Sequence, residues 1–66
     1  MGVQVSVACQ LSPMRQAAFP GFQHSARPGG GTVLLGEVAD QATLMRLLHL
    51  LNDFGLTLLE FRQLPD

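Results

Sequence analysis

The sequence predicts an α+β domain of four strands and one long helix, and three observations carry that prediction. Val3, Val5, Val7 and Cys9 alternate with Gln4, Ser6, Ala8 and Gln10, the period of two that marks a half-buried strand. Between Asp40 and Gly55, leucines recur at helical spacing. The rest of the chain is cut by proline and glycine into short extended runs, with Pro28-Gly29-Gly30-Gly31 as its clearest loop.

The alternating segment is the first predicted strand, with Cys9 on the valine side and therefore directed at the core. Leu11 to Phe22 follows and contains Pro13, Pro20 and Gly21. Ser12 as N-cap and Pro13 at the first helical position open a helix of one or two turns over Met14 to Phe19. Pro20 forces Phe19 into extended geometry and closes it. Phe22 to Arg27 is a second strand, and its short glycine-bearing loop predicts an antiparallel hairpin with Thr32 to Val38. That third strand carries Val33 and Leu35 on one face and Leu34 and Val38 on the other, the pattern of a strand covered on both sides. Gly36 interrupts it, as a bulge or a close backbone approach requires.

Asp40 is the predicted N-cap of the main helix, because its carboxylate can accept from the first-turn N–H groups and complements the helix dipole. The helix runs to about Phe54, with Gly55 as a positive-φ terminator. At about 100° per residue, Leu44, Leu47, Leu48, Leu51 and Phe54 share one face, with Met45 and Leu50 on its flanks. Ala42, Arg46, His49 and Asp53 face the other way. Leu56 to Leu64 closes the chain as a strand, with Leu56 and Leu58 on one face and Leu59 and Phe61 on the other.

This order is a reduced ferredoxin-like β(α)ββαβ plan over a single domain, residues 1–66, with a four-stranded antiparallel sheet and one main helix. The plan places the strands in the order 4-1-3-2 and both helices on one face. A shrunken first helix is then expected to leave part of that face bare.

Composition narrows the functional classes. A domain of 66 residues with 47% apolar and 14% charged residues is oily for its size, since about 25% charged is usual. Such a chain buries only about 60% of its unfolded surface, and small domains compensate with disulfides, metals or self-association. One cysteine excludes an internal disulfide, and Cys9, His24, His49 and scattered carboxylates make a poor ligand set for zinc, so no metal is expected. Four arginines on separate segments, no lysine and a net charge of -1 form no basic patch, and tyrosine and tryptophan are absent. Nucleic acid is therefore not an expected partner. No apolar run approaches the roughly 20 residues of a membrane span, and the start lacks the basic-then-apolar pattern of a signal peptide. The expectation is a cytoplasmic protein without membrane contact and without a cofactor.

From Gly31 onward the chain carries a glycine-led strand, Asp-Gln-Ala, leucines at helical spacing and Gly-Leu before a closing strand. The pattern is met by Gly36, Asp40, Gln41, Ala42, Leu44, Leu47, Leu48, Gly55, Leu56, Leu58 and Leu59. In this it resembles a group of short bacterial proteins, actinobacterial in type, of uncharacterised function. The similarity continues more thinly upstream through Leu11, Phe19, Gly21 and Phe22. Relatives often carry His-Gly where this chain has Met45-Arg46, and tryptophans in the first link where it has Arg15 and Ala18. Roles attached to those residues do not transfer. The resemblance implies the fold and a capped helix, and no activity.

The chemistry-bearing residues each admit a structural role beside a functional one. Cys9 beside His24 or His49, with Asp53 or Glu60 orienting the imidazole, is the arrangement a thiol nucleophile requires. A core cysteine is the simpler reading, because reactivity needs a cationic neighbour and solvent access. His49 and Asp53, four apart, are an exposed helical pair. The 28–31 loop lacks the lysine and following helix of a phosphate loop. Gln41, next to the cap, is placed to reach a partner or a ligand at the positive helix end.

The leading expectation is a non-catalytic domain that self-associates, first as a dimer, through Met45, Leu50, Leu56, Leu58, Leu59 and Phe61. The alternatives are a minimal hydrolase-like enzyme with a site between subunits, drawing on Cys9, His24, His49, Asp40 and Glu60, or a small-ligand-sensing domain.

Overall fold

The computed structural model describes residues 1–65. Its elements run β1 (Gly2–Val7), α1 (Pro13–Gln16), β2 (Gln23–Ala26), β3 (Thr32–Glu37), α2 (Gln41–Asp53) and β4 (Leu58–Gln63). The fold is α+β, an open four-stranded antiparallel sheet with one main helix, in the order β2-β3-β1-β4.

The register explains which side chains are buried, because directly opposed residues share a face. On one face His24, Leu34, Val5 and Phe61 form a row across all four strands, and Ala26, Thr32, Val7 and Leu58 form another. This is the face that α2 covers through Leu44, Leu47 and Leu51. Val3, Val5, Val7 and Leu34 are wholly buried there. The opposite face carries Gln23, Leu35, Gln4 and Arg62 in one row and Ser25, Val33, Ser6 and Glu60 in the next. Its polar content suits a solvated surface.

The main helix is set at both ends by local chemistry. Asp40 is the N-cap, its carboxylate oxygen accepting from the Thr43 N–H at 2.8 Å. At the other end Gly55 has φ +72°; its N–H donates to Asn52 O, and Leu56 N–H donates to Leu51 O. These paired bonds are a Schellman motif, which brings the residue after the glycine back onto the last turn. Leu56 and Leu51 accordingly both lie in the core.

Three expectations are corrected. The sheet is not bare where the first helix is short. α1 spans four residues and buries none of them, yet the link around it supplies Leu11 and Phe19 to the core. Phe19 meets Phe54 edge-on, centroids 5.9 Å apart, and the Phe22 ring lies over Gly36, whose missing Cβ would sit 2.8 Å from it. Gly36 is thus a close approach. The last strand begins at Leu58, and a register shift between Ser6 and Val7 resets its alternation. Phe61 and Leu58, opposite Val5 and Val7, therefore share the helix-covered face instead of opposing one another. Finally, β1 ends at Val7, so Cys9 lies beyond the strand, although it is still half-buried and packed against the core, with its carbonyl accepting from the Thr32 hydroxyl at 3.0 Å.

Candidate functional site

The residues considered for catalysis are distributed over separate parts of the fold. Cys9 follows β1, His24 is on the helix-covered face of β2, and Glu60 is on the opposite face of β4. His49 is exposed on α2, and Asp40 is occupied as its cap. Among the described residues no hydrogen bond joins any two of these five, and no three His, Cys, Asp or Glu side chains are grouped to hold a metal ion. His49 and Asp53 likewise form no ion pair among the described residues.

Two of these groups have distinct surroundings. The Thr43 backbone N–H bond, the Thr43 side chain and the Arg46 charge hold the Asp40 carboxyl below its ordinary value, as expected of an ionised cap. His24 Nε2 is buried and has no hydrogen-bond partner among the described residues. Leaving such a nitrogen unpaired costs about 1–3 kcal/mol.

The apolar groups considered for assembly sort differently. Leu58 and Leu59 are each 45% exposed, Phe61 37% and Met45 50%, whereas Leu56 is only 7% exposed. Leu56 therefore serves the core of the domain. Leu50 lines a groove of about 280 Å³ with Phe19, Phe22 and Arg46, on the flank of α2 that faces the first link. Leu48 lines a different groove with Leu58, and Met45, three residues from Leu48, shares that flank. Met45, Leu58, Leu59 and Phe61 thus gather on the β4 side, and Leu50 and Leu56 do not.

The exposed set coincides with a sheet edge. Among the described residues β4 pairs only with β1, and all six of its residues are exposed. Its backbone directions follow from one bond: Leu64 N–H donates to Gly2 O at 2.9 Å. In an antiparallel ladder the backbone groups of successive residues alternate between the two sides. Leu64, Arg62 and Glu60 therefore turn towards β1, and Phe61 and Gln63 turn theirs outward. The other edge, β2, is four residues long and is bracketed by Pro20-Gly21 and Pro28, features that discourage pairing. No helix among the described residues is long and apolar enough to cross a membrane.

The apolar excess of the sequence singles out Leu58, Leu59 and Phe61, and all three are exposed. That excess does not mark the Glu60–Arg62 pair, whose side chains lie on one face of β4 with Nη2 and Oε2 3.5 Å apart. Their spacing of two within a predicted strand was the signal available.

Residues 2–62 match a protein family described as Domain of unknown function (DUF8691). No curated protein and no solved structure matches the chain.

Proposed function

The chain belongs to the DUF8691 family of domains of unknown function, and from that premise we propose that it is a small non-catalytic domain that self-associates through the free edge of β4. The observation that carries this reading is the coincidence of unpaired backbone with exposed apolar side chains on one strand. An edge of that kind is a template for another strand. A domain of 66 residues also gains proportionately more than a large one by burying further surface. Met45, Leu58, Leu59 and Phe61 form the interface. The plan underlying it is the reduced ferredoxin-like one; counted from β4 the strand order reads 4-1-3-2, which supports it.

Sedimentation velocity tests the reading. A species of twice the 7.1 kDa chain mass is expected at micromolar concentration, and Phe61→Asp should convert it to monomer while far-ultraviolet circular dichroism stays that of the folded chain. Met14→Asp, on α1, should leave the dimer intact. A folded wild-type monomer throughout the micromolar range overturns the proposal.

A further inference from the structure

The geometry points to a single register for this self-association: two copies of β4 pair antiparallel about Phe61, so that Phe61 faces its own copy and each Glu60 faces the Arg62 of the other chain. This rests on the β4 self-association proposed above and specifies its form.

Two constraints select the register. The first is backbone direction. Directly opposed residues in an antiparallel pair must both turn their N–H and C=O groups towards the other strand or both away from it. On β4 Phe61 and Gln63 turn outward, while Glu60 and Arg62 turn to β1, by alternation from the Leu64 to Gly2 bond. A two-fold axis must therefore pass through a residue position and cannot fall between Glu60 and Phe61. Axes through Glu60 or Phe61 keep five of the six β4 residues paired, whereas axes through Leu59 or Arg62 keep only three.

The second constraint is charge. An axis through Glu60 sets the two Glu60 carboxylates opposite each other, and an axis through Arg62 does the same to two guanidiniums. Like charges directly opposed are destabilising. An axis through Phe61 instead places Glu60 against Arg62 twice, in the pairs without backbone hydrogen bonds, where side chains approach most closely. The two Phe61 residues become the hydrogen-bonded central pair. Their outward N–H and C=O groups then satisfy each other.

The same register joins the two sheets edge to edge with their like faces continuous. The row His24, Leu34, Val5, Phe61 continues into Phe61, Val5, Leu34 and His24 of the second copy. The apolar side of the sheet thus runs unbroken across the axis. Charges on an edge strand ordinarily discourage pairing. Here they discourage the wrong registers and complement the right one, which is the behaviour of a specificity device. The interface is isologous and closes at two chains.

Charge exchange tests the register by sedimentation equilibrium on the full chain. Glu60 and Arg62 side chains are 47% and 63% exposed, so their substitution leaves the fold in place. Arg62→Glu and Glu60→Arg should each raise the dimer dissociation constant by about tenfold. An equimolar mixture of the two variants should restore the wild-type value, because every opposed pair again has opposite sign, and the double variant Glu60→Arg/Arg62→Glu should also dimerise normally. Glu60→Gln should weaken the dimer. A dimer that Arg62→Glu leaves unchanged, or that Glu60→Gln strengthens, overturns the Phe61 register while leaving self-association standing. A monomeric wild type removes both.

Discussion

Asp40 caps α2 by accepting from the Thr43 N–H at 2.8 Å, a bond that favours its charged form. Its carboxyl is held below the ordinary value of 3.8, first by the Thr43 N–H and further by the Thr43 side chain and Arg46. Because the folded value is depressed, the stability Asp40 contributes is fully present above 3.8 and is lost as pH falls through the lower folded value. Asp40→Asn keeps an acceptor for Thr43 but has no such proton to take up. Below pH 3.8 the wild-type melting temperature should fall more steeply than that of Asp40→Asn, as followed by circular dichroism. Parallel slopes would remove the carboxylate from the cap. The residue was legible in the sequence because capping depends on the local backbone and a short polar side chain. The unpaired His24 nitrogen was not, since its burial depends on which strand row it joins.

Among the elements, α2 was readable from end to end. Asp40, the spacing of Leu44, Leu47 and Leu51, and Gly55 are local signals that tertiary structure had no cause to override. β4 was less so, because its bulge arises opposite Ser6 and Val7, and nothing within β4 itself marks it. The apolar excess of the last strand places Leu56 with Leu58 in the expected interface, while the turn after Gly55 folds it into the core. The first link shows the same limit: its prolines announced a short helix but not that Phe19 and Phe22 would replace the missing one. The close packing of Phe22 on Gly36 is testable. Gly36→Ala introduces a Cβ at 2.8 Å from the ring and should destabilise the domain by about 1–3 kcal/mol in urea unfolding. Phe22→Leu should relieve much of that loss in the double variant, as coupled neighbours do. Additive effects would mean that the ring does not rest on Gly36.

The whole molecule is a small sheet with unequal edges. β2 is short, polar and bracketed by prolines, while β4 is longer and exposes Leu58, Leu59 and Phe61. The apolar excess visible in the composition is therefore localised, and its location beside outward-turned backbone suggests strand pairing more than ligand binding. Amide hydrogen exchange resolved by residue examines that edge directly. Phe61 and Gln63 have N–H groups directed away from β1, whereas those of Glu60 and Arg62 are directed at it. At concentrations where the chain is dimeric, the Phe61 amide should be protected, and dilution to monomer should expose it while Glu60 and Arg62 keep their protection. A Phe61 amide that exchanges freely at every concentration, in a chain whose β1 amides remain protected, would contradict pairing of the β4 edge.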